Sequence, residues 1–119
     1  MAFRFLKFKV YKDSEDLHRE IVKITRRFPR EFDYLKDQIC RSSLSVVLNI
    51  AEGSAKKSDK DFNRYLENSM GSANETASAL NVAFSDKLIS EVSYKNLLSL
   101  CEEVVNQLGG FSKKLKVGG

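Results

Sequence analysis

The sequence predicts an all-α protein, an up-down-up-down antiparallel four-helix bundle that occupies residues 1–119 as one domain, and three observations predict it. Apolar residues recur at alternating steps of three and four along four segments, which is the spacing of one helix face. The connections between these segments are roughly three to six residues long, which favours antiparallel neighbours. One proline and six glycines, four of them at residues 109–119, are too few to mark the turns of a β-sandwich.

The first two helices are predicted at residues 10–28 and 34–54. Pro29 ends the first, because proline disfavours the α region for the residue before it. Asp33 is expected to cap the start of the second helix, and Gly53 marks its end.

The last two helices are predicted at residues 59–85 and 91–109. Ser58 and Ser90 are expected to be their N-caps, with acidic residues in each first turn. The glycine pair at 109–110 is expected to fray or end the fourth helix. The ends of the chain are expected to be basic and flexible.

Helix 2 has an unusually wide apolar arc of roughly 200°, about twice what the surface helix of a bundle needs. The arc consists of Ile39, Cys40, Leu44, Val46, Val47, Leu48, Ile50 and Ala51. Its excess width predicts a homo-oligomer, because a second copy would cover the part that the core does not. Tyr65 and Met70, outside the main stripe of helix 3, are further candidates for that contact.

The rest of helix 2 is a narrow polar stripe that faces a similar stripe on helix 3. The two stripes consist of Gln38, Arg41, Ser45, Asn49 and Glu52, and of Arg64, Asn68, Ser72 and Glu75. An antiparallel pair joined at residues 56–58 places Arg41 opposite Glu75 and Glu52 opposite Arg64. We expect two buried ion pairs that fix the register. The alternatives are a ligand or catalytic site between the helices, or a stripe that lines a subunit interface.

The same residues form a recognisable pattern: Gln38-x-x-Arg41-x-x-x-Ser45-x-x-x-Asn49-Ile50-Ala51-Glu52-Gly53, followed by Arg64-Tyr65-Leu66 and Gly71-Ser72-x-x-Glu75. The pattern resembles the signature of four-helix-bundle proteins encoded in intervening sequences of bacterial 23S rRNA genes. The resemblance implies a small bundle that assembles as a homo-oligomer, with a pentamer expected, and supplies no catalytic residue. Related bundles are accessory factors of diversity-generating retroelements, which implies a reverse transcriptase as an alternative partner.

Positive charge is expected to collect at one end of the bundle, because up-down-up-down topology brings three chain segments together there. Of the 20 basic residues, 11 fall in these segments: Arg4, Lys7, Lys9, Lys12, Lys56, Lys57, Lys60, Arg64, Lys113, Lys114 and Lys116. We expect them, apart from Arg4, to form a nucleic-acid-binding site that holds phosphates by point charges. Solvated chain ends and an acidic protein partner are the alternatives.

Other features exclude several classes of protein. No apolar run reaches the ~18 residues of a membrane span, and the start of the chain has no continuous apolar region of a secretory signal, so a cytoplasmic protein is expected. One histidine and two cysteines are too few for a four-ligand zinc site without carboxylates. No cofactor is predicted. His18 is expected at the surface, and Cys40 and Cys101 as inert core thiols.

The sequence thus favours a non-catalytic, oligomeric bundle that binds nucleic acid, RNA in preference, through a basic end. The alternatives are a scaffold for a partner enzyme such as a reverse transcriptase, and an enzyme with an unrecognised site between helices. The last is disfavoured because Ser45 has no histidine near it in the predicted register. Aromatic residues alternate with the basic arm and either stack on bases or cover the bundle end: Phe3, Phe5, Phe8 and Tyr11.

Overall fold

Four helices form the protein in a computed structural model that describes residues 2–118, and no strand occurs among these residues. The elements are a first 3-10 turn (Arg4–Lys7), α1 (Lys9–Thr25), a second 3-10 turn (Arg30–Phe32), α2 (Asp33–Ser54), α3 (Asp59–Ser85) and α4 (Glu91–Gly118). Each helix packs against two others, α1 and α3 both contacting α2 and α4. The predicted all-α four-helix bundle is therefore confirmed.

Hydrogen bonds between neighbouring helices show that they run antiparallel. Along each interface between consecutive helices the residue number rises on one helix as it falls on the next: His18–Ser43 and Thr25–Cys40, Gln38–Glu75 and Ser45–Ser72, Asn63–Ser112 and Asn81–Tyr94. The bundle measures 46 × 22 × 19 Å. The starts of α1 and α3 and the ends of α2 and α4 therefore lie at one end, which we call the basic end.

The four apolar stripes meet in one core. The largest side chains that are fully buried in it come from all four helices: Phe62, Leu17, Ile21, Ile39, Ile50, Leu66, Leu80 and Leu108. Small serines at stripe positions, Ser14, Ser42 and Ser69, are also buried and bond to backbone carbonyls. Burial of its apolar stripe stabilises each helix more than the intrinsic helix propensity of its residues does.

The end of α1 differs from the prediction, because the helix ends at Thr25 and not at residue 28. The next residues form tight turns in which the amides of Arg27 and Phe28 bond to carbonyls three residues back. Pro29 accounts for this change, since it restricts the backbone of the residue before it. Phe28 nevertheless reaches the core and is 7% exposed.

The end of α4 also differs, because the helix continues through Gly109 and Gly110 to Gly118. The ring of Phe111 packs edge-on against Phe8 and Phe62, with ring centroids 5.2 and 5.1 Å apart. This packing outweighs the helix penalty of about 1 kcal/mol for each glycine. The expected flexible basic tail is therefore helical, apart from Gly119, which lies outside the described residues.

Two of the three predicted caps are confirmed. The hydroxyls of Ser58 and Ser90 accept hydrogen bonds from the amides of Asp61 and Ser93, each at 3.1 Å. Asp33 is the first residue of α2 and makes no capping bond, so that prediction is wrong. Over the described part of the chain, no helix is both long enough and apolar enough to cross a membrane.

Candidate functional site

The polar stripes of α2 and α3 meet close to the register that the sequence predicts. The hydroxyls of Ser45 and Ser72 lie 2.8 Å apart, and Ser69 donates to the carbonyl of Val46 at 2.8 Å. The amide of Asn49 donates to the hydroxyl of Ser45 at 3.0 Å. The two polar stripes therefore form a row of short, hydrogen-bonded side chains between α2 and α3.

Both predicted ion pairs are wrong. Glu75 accepts a hydrogen bond from Gln38, and the ionic partner of Arg64 is Asp61 in its own helix, at 3.8 Å. Between residues 2 and 118, neither Arg41 nor Glu52 has an ionic partner, and both are exposed. These long side chains lie at the outer edge of the helix contact, where water solvates them and an ion pair contributes little.

Gly53, the last residue of the recognised pattern in α2, lies where α2 and α3 approach closely. A Cβ atom added there would lie 2.6 Å from the Cβ of Tyr65 and 2.9 Å from Cδ1 of Phe62. These distances are shorter than carbon atoms tolerate. Glycine at this position therefore permits the contact between the end of α2 and the start of α3.

Three of the predicted basic site residues line one groove at the basic end. Lys57, Lys60 and Lys116 surround an open groove of about 690 Å³ between the start of α3 and the end of α4. Asn63, Leu115, Ser58 and Asp59 complete its lining. We call it the lysine groove. It brings together residues almost sixty positions apart in sequence.

A second groove lies on the other side of the α4 end, between α4 and the start of α1. It has a volume of about 370 Å³ and is lined by Phe8, Val10 and Phe111, with Gly110, Gln107, Lys9 and Lys114 at its edges. We call it the aromatic groove. Lys9 also bridges Asp13 at 2.7 Å and Glu103 at 3.4 Å, and the hydrogen bond that Lys9 donates to Asp13 raises the pKa of Lys9.

The remaining predicted basic residues differ in their surroundings. Lys56 and Arg64 flank the ring of Tyr65, with Nζ and Cζ 4.9 and 5.8 Å from the ring centroid. Cation–π contacts partly occupy these two side chains. Three further lysines are exposed on separate elements, the first 3-10 turn, α1 and α4: Lys7, Lys12 and Lys113.

Arg4 has a structural role that the sequence analysis did not assign. Its Nε donates to the carbonyl of Ser54, the last residue of α2, at 3.0 Å, and its guanidinium lies 5.3 Å from the ring centroid of Phe62. A cation there bonds an otherwise unpaired carbonyl of the helix end. The aromatic residues around Arg4 in the sequence are the signal that indicated such packing.

The N-terminal aromatic residues mostly cover the bundle end. Phe8 packs on Phe62 and Phe111, and the rings of Phe5 and Tyr11 are 4.8 Å apart. Phe3 is 61% exposed. These aromatic residues were expected either to stack on bases or to cover the bundle end. All of them except Phe3 cover the end.

The opposite end of the bundle has arginines in a mixed charge environment. Arg26, Arg27 and Arg30 are exposed there, and four carboxylates lie at the same end, in the two connections or at the starts of α2 and α4: Glu31, Asp33, Asp86 and Glu91. The charges at this end nearly balance, whereas lysines predominate at the basic end.

The side chain of His18 is half-buried and not on the open surface as expected. Its Nδ1 lies 2.7 Å from the hydroxyl of Ser43 in α2. Burial, and the nearby charge of Arg19, lower the pKa of His18 below its ordinary value of 6.5. Ser43 is fully buried, so this pair cannot reach a substrate.

We expect the protein to lose stability as the pH falls from about 6.5 through the lower pKa of folded His18. The unfolded chain takes up the proton first, so acid favours unfolding, and the contribution of neutral His18 is complete above 6.5. Thermal melts between pH 7.5 and 5.5 measure this effect. His18→Gln should have a flatter pH profile, and parallel profiles for the two proteins would contradict the assignment.

The two thiols differ in accessibility. Cys101 is 3% exposed, and burial raises its pKa to about 11, which makes it a poor nucleophile. Cys40 is half-buried, with its sulfur 3.4 Å from the hydroxyl of Thr25. Among residues 2–118, no group of three or more histidine, cysteine or acidic side chains is placed to hold a metal ion.

Comparison with known proteins identifies a family and solved structures with the same fold. The sequence profile of the 23S rRNA-intervening sequence protein family matches residues 6–110. A crystal structure from Bacteroides thetaiotaomicron, a protein with unknown function from the S23 ribosomal protein family, superposes with a TM-score of 0.81. The two sequences are 25% identical, and the match covers 87% of this chain and 98% of the other. No curated protein matches the sequence.

Proposed function

Because the chain belongs to the 23S rRNA-intervening sequence protein family, we propose that it is a non-catalytic protein that binds nucleic acid through its basic end. RNA is the favoured ligand, since the family takes its name from sequences that interrupt an rRNA gene. The convergence of Lys57, Lys60 and Lys116 on one groove carries the proposal.

The arrangement of these lysines supports contact with a phosphate backbone. They come from the connection before α3, its first turn and the end of α4, and all three side chains are exposed. Exposed ammonium groups on several elements can each neutralise one phosphate and release its counterion. The surface at this end consists of helix ends and a 3-10 turn, so it presents no long helix side to a groove of duplex nucleic acid.

Electrophoretic mobility shifts over a salt series test the proposal. We expect structured RNA, single strands and DNA duplex all to bind at low salt, irrespective of their sequence. The log–log slope against salt should be about −0.7 per phosphate on single strands and about −0.9 on duplex. If none of them shifts at low salt, the proposal is wrong, and docking of a partner enzyme becomes the better hypothesis.

We also propose that the protein is a homo-oligomer, with a pentamer as the expected form. The wide apolar arc of α2 leaves Leu44 and Leu48 outward, 41% and 54% exposed, while Val46 and Ile50 are buried. A second copy covering this face would remove both leucines from water. Tyr65 and Met70, by contrast, contact Gly53 and the core within one chain, so they do not support the proposal.

Light scattering tests the oligomer directly. We expect the wild type to have a mass that is a multiple of 13.5 kDa at micromolar concentration. Leu44→Glu combined with Leu48→Glu should reduce it to the mass of one chain, because charges cannot be buried in an apolar contact. Val92→Glu is the matched control, since Val92 is 70% exposed on α4. A monomeric wild type would contradict the proposal.

A further inference from the structure

The aromatic groove combines an apolar floor with positive charge at its edges. Phe8 and Phe111 meet at 70° in the floor, and Lys9 and Lys114 stand at the edges. Gly110 lines the groove without a side chain, and a Cβ added there would contact nothing within 4 Å. The groove is therefore open space beside two aromatic rings, within the basic end of the bundle.

The dimensions and chemistry of the groove fit a planar ring joined to an anion. Its volume of about 370 Å³ lies near the lower end of the range for small-ligand sites, about 300–1,000 Å³. Aromatic side chains offer stacking or edge contacts to any base, whatever its identity. Because Lys9 and Lys114 line the groove, a ring that carries a phosphate should bind better than an uncharged apolar ring.

The groove lies across the end of α4 from the proposed phosphate-binding surface. Lys114 borders the aromatic groove, and Lys116, two residues further along α4, borders the lysine groove. The last turns of α4 therefore separate the two grooves. A strand that crosses them meets lysines on both sides.

We propose that the aromatic groove binds an unpaired base of single-stranded nucleic acid, with the adjoining phosphates on Lys114 and Lys9. This inference rests on the proposed function, and it adds a preference for single strands. A base within a duplex is stacked and paired on both sides, so it cannot enter the groove without being extruded. Lys9 can be reached by a phosphate because its side chain stays 70% exposed while it pairs with Asp13 and Glu103.

Fluorescence anisotropy with three labelled ligands tests this inference. The ligands are a single strand, the same sequence as a duplex, and an abasic strand of equal length that keeps the phosphates. The wild type should bind the single strand about 10-fold more tightly than the abasic strand, which is the usual scale for stacking one base. Equal affinity for all three would overturn the inference while phosphate binding stands, whereas no binding to any of them would overturn the proposed function.

A pair of glycine variants provides the matched control. Gly110→Leu fills the groove and should reduce binding of the single strand to the level of the abasic strand, without weakening the duplex. Gly109→Leu adds the same side chain next to it, where a Cβ also has free space, and should leave all affinities unchanged. Equal effects of the two substitutions, or none from Gly110→Leu, would overturn the groove as the site.

A charge variant makes the test independent of the glycine substitutions. Lys114→Gln should weaken the single strand more than Lys113→Gln, because Lys113 is exposed on the same turn but does not line the groove. Circular dichroism confirms that each variant keeps its helical content. A last measurement compares a free mononucleotide with the unlabelled strand as competitors of the labelled strand. If the mononucleotide competes at equal concentration, the groove binds a free nucleotide, and the proposed binding of a strand is wrong.

Discussion

Replacing Gly53 by alanine is expected to lower the free energy of unfolding by about 2 kcal/mol, although alanine favours helices more than glycine does. The added Cβ would lie 2.6 Å from the Cβ of Tyr65 and 2.9 Å from the ring of Phe62. Because Tyr65 is held through its own backbone, the ends of α2 and α3 must separate to make room. Denaturant or thermal unfolding at a fixed protein concentration measures the loss.

Two other helical glycines give controls of opposite sign. A Cβ at Gly71 or Gly110 would contact nothing within 4 Å. Alanine at either position should therefore raise stability by about 0.5–1 kcal/mol, the usual gain when a helix interior loses a glycine. If Gly53→Ala melts at or above the wild type, the close approach of α2 and α3 is not what requires glycine there.

The largest expected effect on binding comes from Lys57→Gln, Lys60→Gln and Lys116→Gln combined. Three phosphates would lose their cations, so affinity for single strands at 0.1 M salt should fall about 100-fold. The log–log salt slope should become shallower by about two on single strands. Lys56 is left out of this set because it lies over the ring of Tyr65, where its loss would also change packing.

The matched control removes the same number of charges from the opposite end. Arg26→Gln, Arg27→Gln and Arg30→Gln combined change the net charge equally but lie where carboxylates balance the arginines. We expect affinity to change little and the slope to stay close to that of the wild type. A larger loss from the arginine set would mean that nucleic acid binds at the other end of the bundle.

The fold was predictable because its determinants are local and repeated. Each apolar stripe has several members at helical spacing, such as Leu17 and Ile21 in α1 or Leu66 and Leu80 in α3. A single residue that departs from the pattern therefore does not change the predicted helix. The antiparallel register of α2 and α3 followed from the short connection between them. The end of α4 was not predictable locally, because Phe111 packs on Phe8 from the other end of the chain.

The site was predictable only as a location. The order of the helices alone brings lysines from three segments to one end. Which side chain each of them pairs with depends on the distances between side chains of different helices, and the sequence does not give these distances. Lys9 pairs with Glu103, and Gln38 takes the place that Arg41 was expected to have beside Glu75. Small rotations of each helix about its own axis decide which polar residue contacts the neighbouring helix. A sequence pattern places residues around a helix only in steps of 100°, so it does not predict these rotations.

The contact between Phe8 and Phe111 means that the start of the described chain and the end region of α4 lie together at the basic end. An affinity tag, a fused reporter or a surface-immobilisation handle on either terminus would therefore start next to both grooves. Such an attachment would compete sterically with the ligands whose binding is to be measured. A handle on the connection between α3 and α4, for example at exposed Asp86, is at the far end of a molecule 46 Å long and leaves the grooves accessible.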